Sequence, residues 1–148
     1  MNSRTFLPRP RRFWAIAVAV LWILGVPTVG QAQETVLDGA FTEEQAARGK
    51  VVASTICSAC HGASLGGGGF APAIVGRSFQ RKWAPGTLAD PFAFISSRMP
   101  RNNPGGLTDQ QYADALSFLL QTTGYPAGTT ELVPDADVLR GIRLEALP

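Results

Sequence analysis

The stretch Cys57-Ser58-Ala59-Cys60-His61 decides how this chain of 148 residues folds. Its CxxCH spacing is the pattern at which a haem is attached covalently. Each cysteine can form a thioether with one vinyl group of the porphyrin, and the histidine then lies beneath the iron as an axial ligand. We therefore predict one haem c, bound through Cys57 and Cys60, with His61 as the proximal iron ligand.

A CxxC pair has three other common roles: a disulfide, a thioredoxin-like redox pair and half of a zinc site. The chain contains only two cysteines and one histidine, which cannot readily supply four zinc ligands. A thioredoxin-like pair is expected beside a βαβ pattern, and the sequence shows none. A disulfide or thiol-exchange protein stays open as the non-haem alternative.

Residues 1–32 have the pattern of a secretory signal peptide. Four arginines precede an apolar run from Phe13 to Val26, and Gly30-Gln31-Ala32 is a small-x-small cleavage pattern. The run is shorter than the roughly 20 residues that cross a bilayer, so we expect cleavage after Ala32 rather than a membrane anchor. We predict a periplasmic protein that has no membrane contact unless this segment is kept.

Cleavage would leave residues 33–148 as one small domain, whose own core is modest without a buried cofactor. The basic residues fall from 13 to 9 against 11 acidic ones, so the net charge changes from +2 to −2. No stretch is rich in Lys and Arg in the way that marks a nucleic-acid surface. We expect no nucleic-acid partner.

Two segments, 42–45 and 108–111, have the form of a helix capping box. They predict one helix that runs from Thr42 into Cys57 and another over 108–122, with Gly124 as its stop. Gly49 costs about 1 kcal/mol relative to alanine unless close packing compensates, so the first helix should press against a neighbour. The predicted apolar faces are Ala46, Gly49, Ala53 and Ile56 on the first helix, and Tyr112, Ala115, Leu116, Phe118, Leu119 and Leu120 on the second, which leaves Asp114, Ser117 and Gln121 for water.

A shorter helix is predicted between these two, with Asp90 as its N-cap and Pro91 at its first position. It should end before Met99-Pro100, because the residue before a proline is disfavoured in a helix. Glycine- and proline-rich stretches elsewhere predict loops, and strand-like alternation is nearly absent. The predicted fold class is all-α: a helical core at about 42–123 with loops wrapped around one haem.

The second axial ligand has few candidates. His61 is the only histidine, and Met99 is the only methionine outside the predicted signal peptide. Lys50 and Lys82 are possible but less usual ligands. Pro100 keeps Met99 extended, where its side chain can point inward. We predict Met99 as the distal ligand, and a thioether there favours ferrous iron and raises the reduction potential.

These residues resemble class I c-type cytochromes over nearly all of residues 33–148. The resemblance implies that Gly49 and Phe118 meet where the first and last helices cross. It also implies that Ala71-Pro72-Ala73-Ile74-Val75-Gly76 is the loop whose Pro72 carbonyl accepts a hydrogen bond from His61, and that Met99-Pro100 is the distal ligand loop.

A cytochrome with both axial positions filled transfers electrons and is not expected to be an enzyme. The alternatives are a haem enzyme of the peroxidase type and a haem sensor that binds small ligands. A peroxidase normally needs an open iron position and an acid–base group above it, and no second histidine exists to serve. A four-helix sensor cytochrome carries CxxCH near its C-terminus, whereas Cys57 lies early in the domain.

A weaker resemblance concerns the Trp83 segment and the tail, residues 124–148. These look like cytochromes that accept electrons from periplasmic quinoprotein dehydrogenases. The resemblance implies redox proteins as partners, with such a dehydrogenase as donor and a terminal oxidase or another cytochrome as acceptor. Trp83 is a candidate haem contact, with packing of a large aromatic as the alternative. The tail is expected to wrap the body or to meet a partner.

Overall fold

The computed structural model describes Met1 and residues 35–148, and the residues from 35 onward belong to one compact unit. The predicted signal peptide and its cleavage site lie outside the described residues, apart from Met1. The described elements are a 3₁₀ turn at Val36–Asp38, α1 (Glu43–Val52), a π-helical turn at Ala53–Cys57, α2 (Ser58–His61), α3 (Gly76–Trp83), β1 (Gly86–Thr87), α4 (Ala89–Arg98), α5 (Asp109–Thr123), α6 (Ala136–Arg140) and β2 (Arg143–Leu144). The all-α prediction is confirmed.

The first helix begins where the sequence predicts, because the Thr42 hydroxyl accepts a hydrogen bond from the Gln45 amide at 3.1 Å. The second half of the predicted capping box is wrong. The Gln45 side chain, fully buried, instead pairs with the backbone of Leu132: Nε2 donates to the carbonyl at 2.9 Å, and Oε1 accepts from the amide at 2.7 Å. Thus a polar residue in α1 holds the tail.

The close crossing of α1 and α5 is confirmed at Gly49. A Cβ placed there would lie 1.8 Å from the Asp114 carbonyl oxygen and 3.0 Å from the Phe118 Cβ. Only a residue without a side chain allows this approach, and packing of the two helices offsets the propensity cost of glycine.

The second long helix has both halves of its capping box, between Thr108 and Gln111, and ends at Gly124 with φ 109°. The prediction that Asp114 and Ser117 face water is wrong, since they are 5% and 0% exposed. Asp114 accepts two hydrogen bonds from Arg48, each 3.0 Å long, and the Ser117 hydroxyl donates to the Ala113 carbonyl at 2.9 Å. Each buried polar group therefore has a partner.

The short helix α4 ends at Arg98 as predicted but begins earlier, with Leu88 as its N-cap. The prediction of Asp90 as N-cap and Pro91 at the first position is wrong. Asp90 lies inside the first turn, where its carboxylate accepts from the Thr87 amide at 3.0 Å. An acidic side chain is stabilising there as well, because backbone N–H groups are unpaired throughout the first turn.

Helix α3 has no counterpart among the predicted elements. Its N-cap residue, Val75, provides no side-chain hydrogen bond, and the Gly76 amide donates instead to the Thr123 hydroxyl at 3.0 Å. A cap supplied from 47 positions along the chain leaves no local sequence pattern.

The tail packs on the helical body. Its β2 pairs antiparallel with β1, Gly86 opposite Leu144 and Thr87 opposite Arg143. The Gly128 amide donates to the Phe41 carbonyl at 2.7 Å, and the Tyr125 hydroxyl donates to the Glu145 carbonyl at 2.6 Å. The buried apolar residues of the tail are Tyr125, Leu132, Leu139, Ile142 and Leu144, all in the main core cluster.

Among residues 35–148, no helix has the length and apolarity to cross a membrane.

Candidate haem-binding site

The CxxCH motif lies where the first helix widens and then ends. The π-helical turn leads into α2, which ends at His61 before Gly62. Residues three and four positions apart share one side of a helix, so Cys57 is next to both Cys60 and His61. Both thiols are free, Cys57 half-buried and Cys60 exposed, and burial raises the pKa of the Cys57 thiol. This turn can therefore present two sulfur atoms and one imidazole together.

The His61 ring is oriented by one contact. Its Nδ1 lies 2.7 Å from the Pro72 carbonyl oxygen, and the residue is 8% exposed. A carbonyl oxygen only accepts hydrogen bonds, so Nδ1 carries a proton, and in the neutral ring Nε2 then keeps its lone pair. That tautomer is the one in which Nε2 can ligate a metal, and the bond to the carbonyl makes it a stronger donor to the metal.

The loop that carries Pro72 is held against the motif by backbone hydrogen bonds. The Gly67 amide donates to the His61 carbonyl at 3.0 Å, and the Ile74 amide donates to the Leu65 carbonyl at 3.0 Å. Gly67 has φ 97°, and a Cβ there would lie 2.9 Å from the Ala73 nitrogen. The loop therefore closes tightly and fixes the carbonyl that orients His61.

Met99 directly follows α4 and is half-buried. Its backbone is extended, with φ −125° and ψ 153°, as expected before a proline. Its carbonyl accepts a hydrogen bond of 2.6 Å from the hydroxyl of Tyr112, which is 3% exposed. The sequence analysis assigned Tyr112 only to the apolar face of α5. The sequence offered one indication of this contact: Tyr112 lies one turn into a helix, 13 residues after the candidate ligand.

Trp83 ends α3 and packs edge-on against Phe94, with ring centroids 5.4 Å apart. The Lys82 ammonium lies 3.8 Å from the Phe94 centroid and 4.5 Å from that of Trp83. Arg98 lies 5.9 Å from the same Phe94 ring. Trp83 thus joins α3 to α4 through aromatic and cation–π contacts, and its contact with a haem stays a prediction.

The residues present fit a haem. The motif offers two thiols and an oriented imidazole, and Met99 offers a thioether on the segment that follows α4. Six apolar residues larger than alanine, between positions 74 and 118, pack against the core but are only partly buried, and so leave apolar area that a flat apolar ring could cover. They are Ile74, Val75, Trp83, Phe92, Ile95 and Phe118.

An all-α domain with CxxCH at the end of its first helix, a histidine fixed by the following loop and a methionine loop before its last long helix defines a c-type cytochrome domain. Such domains bind haem and transfer electrons. The chain matches the family model described as "Cytochrome C oxidase, cbb3-type, subunit III" over residues 44–119, just over half of its length. It belongs to this family. No curated protein and no solved structure matches the chain.

The matched region runs from α1 to Leu119 and so includes the motif, Pro72 and Met99. Residues 120–148, with the whole tail, lie outside it.

Proposed function

We propose that this cytochrome domain carries one covalent haem c with His61 and Met99 as axial ligands, and that it moves single electrons between periplasmic redox proteins. The observation that carries the proposal is the 2.7 Å contact between His61 Nδ1 and the Pro72 carbonyl, one turn from two free thiols. A histidine fixed in the ligating tautomer beside two thiols is what covalent haem attachment requires.

Attachment would join each sulfur to a vinyl carbon of the porphyrin, while the thiol proton goes to the neighbouring vinyl carbon. No external oxidant or reductant is needed. The accessibility of the two thiols differs, since Cys60 is exposed and Cys57 half-buried. The bound haem would supply reversible one-electron chemistry between Fe(III) and Fe(II), and the chain supplies the ligands and the apolar walls.

Met99 as the second ligand supports electron transfer over catalysis at the iron, because it leaves no iron position for a substrate. The Tyr112 hydroxyl fixes the Met99 backbone, and the helical geometry of α4 ends one residue earlier. A ligand held both by the end of α4 and by the Tyr112 hydroxyl rearranges little when the iron changes its oxidation state.

The periplasmic location rests on the signal-peptide pattern of residues 1–32. A quinoprotein dehydrogenase as donor rests on the weaker resemblance of the Trp83 segment and the tail. The family description names an oxidase subunit, which favours a terminal oxidase on the acceptor side. A role as an electron-delivering subunit of such an oxidase is therefore the second candidate.

Potentiometric titration of the haem-loaded protein, with optical detection, tests this function. We expect one reversible one-electron wave, and a weak sulfur-to-iron charge-transfer band in the oxidised state. Met99→Ala should abolish the band, open the iron to added imidazole and lower the potential by on the order of 0.1 V. Met99→His is the matched control, since it keeps two axial ligands while removing sulfur. An oxidised wild-type protein without the band, or a reduced one that binds carbon monoxide immediately, would favour the sensor or peroxidase alternative.

A further inference from the structure

The part of the tail that contacts the candidate ligand segment lies outside the family match. We call residues 139–147 the strap and residues 84–99, which run from the end of α3 to Met99, the distal segment. The family match ends at residue 119, so the strap is a feature of this chain beyond the matched cytochrome domain.

The strap is joined to the distal segment by backbone pairing. Strand β2 in the strap pairs with β1 in the distal segment, and the Leu88 amide donates to the Ile142 carbonyl at 3.0 Å. These bonds lie immediately before α4, the helix that ends at Arg98 and is followed by Met99. The strap therefore fixes the start of that helix.

Burial adds to the hydrogen bonds. Leu139 and Leu144 of the strap and Leu88 of the distal segment are each 0% exposed, and Ile142 is 4% exposed. Helices α4 and α6 pack against each other. Two further bonds hold the strap: the Leu147 amide donates to the Gln80 side chain of α3 at 3.0 Å, and Tyr125, at the start of the tail, donates to the Glu145 carbonyl.

The two ends of α4 are thus held by different parts of the protein. Tyr112 of α5 holds the Met99 carbonyl, while the strap holds residues 86–88. A thioether is a weak ligand for ferric iron, so a small loss of restraint on its segment favours its replacement by another ligand. Rigid support of a ligand lowers the entropy lost when it binds.

We propose that the strap is a positioning segment for Met99, with Leu144 and Ile142 as its main positioning residues. The proposal rests on Met99 being the distal ligand. Releasing the strap should leave the haem attached and His61 in place, and it should make Met99 easier to displace from the iron.

Displacement of Met99 by imidazole in the oxidised haem-loaded protein measures this restraint. Leu144→Ala removes a fully buried side chain from the strap and should raise the apparent imidazole affinity about tenfold. Leu132→Ala is the matched control, because Leu132 is an equally buried tail leucine whose backbone pairs with Gln45 of α1 instead. The conservative variant Leu144→Ile should bind imidazole with the wild-type affinity. Urea unfolding of each variant reports the global loss of stability.

The proposal holds if Leu144→Ala raises imidazole affinity while Leu132→Ala, at a similar loss of global stability, does not. It is overturned if the two variants have equal affinities, since the tail would then act through stability alone, or if Leu144→Ala leaves affinity unchanged. A wild-type protein that lacks the sulfur-to-iron band would instead contradict the proposed function.

Discussion

The crossing of α1 with α5 and the distal segment are built by opposite means. At the crossing, the backbones touch at Gly49, and the buried Asp114 carboxylate is paired with Arg48. In the distal segment, the aromatic residues and Met99 stay half-exposed, and the support comes from the tail. The crossing is complete as protein alone, whereas the distal segment is paired with the strap on one side and, in the proposed function, faces a haem on the other.

Charged side chains also have different partners in the two regions. The hydrogen bonds from Arg48 to Asp114 and Glu131 raise the pKa of its guanidinium, so Arg48 stays protonated at every accessible pH. Arg48 is 45% exposed, so solvent screens the pair and its contribution to stability is small. In the distal segment, the Phe94 ring instead lies beneath two cations, Arg98 of α4 and Lys82 of α3.

The most severe test of the crossing is Gly49→Val. Its side chain would overlap the Asp114 carbonyl, so the two helices must separate, and we expect a loss of about 3 kcal/mol or more in unfolding free energy. Gly69→Val is the matched control, because a Cβ at Gly69 meets nothing within 4 Å. Chemical denaturation of both variants makes the comparison. Equal midpoints would show that the crossing tolerates a side chain.

A smaller loss is expected where α1 holds the tail. Gln45→Leu would leave the buried amide and carbonyl of Leu132 without partners, at a cost of about 2 kcal/mol. Gln121→Leu changes the same residue type on the surface, where the side chain donates to Glu43, and should cost under about 0.5 kcal/mol. The visible spectrum of the haem should be unchanged in both variants. An altered spectrum in Gln45→Leu would show that the contact between α1 and the tail affects the haem site.

Tyr112→Phe tests the link between the two regions, because the Tyr112 hydroxyl joins α5 to the Met99 carbonyl. The variant should lose about 1 kcal/mol of stability. Unlike Gln45→Leu, it should also raise the apparent affinity of the oxidised protein for imidazole. Unchanged imidazole binding would mean that the Met99 carbonyl needs no anchor.

A stability loss as small as that of Tyr112→Phe, with no expected change in imidazole binding, is expected at Tyr125, whose hydroxyl donates to the Glu145 carbonyl of the strap. Burial raises the pKa of its phenol above the ordinary value of 10, so folding favours the neutral form. This contribution is fully present below pH 10 and is lost as the pH rises through the folded-state pKa. Tyr125→Phe should cost about 1 kcal/mol at pH 7.

The stability difference between wild type and Tyr125→Phe should therefore shrink above pH 10, as measured by urea unfolding at several pH values. A difference that stays constant with pH would show that the phenol proton plays no part.

Local sequence patterns predicted what local chemistry determines. Thr42 and Thr108 cap their helices, Gly49 allows the crossing, and α4 ends before Met99-Pro100. Three of the failures involve distant partners: Thr123 caps α3, Leu132 takes the Gln45 side chain, and Arg48 pairs with Asp114. The misplaced start of α4 and the buried Ser117 are different, since Asp90 and Ser117 bond to residues three and four positions away. Contacts between residues tens of positions apart leave no periodic or motif pattern, so sequence alone could not locate them.

The candidate site shows the same limit. The motif, with Pro72 and Met99, could be named from sequence and resemblance, because each belongs to a short recognisable segment. Tyr112 and the strap could not be assigned to the site, since their roles depend on how α5 and the tail pack against the distal segment.

The most direct test of the central claim is the intact mass, under denaturing conditions, of the protein produced in a host with active haem-attachment machinery. The account predicts a polypeptide that carries one haem, since thioethers at Cys57 and Cys60 survive denaturation. A mass equal to the polypeptide alone would contradict covalent attachment and return the two thiols to disulfide or thiol-exchange chemistry.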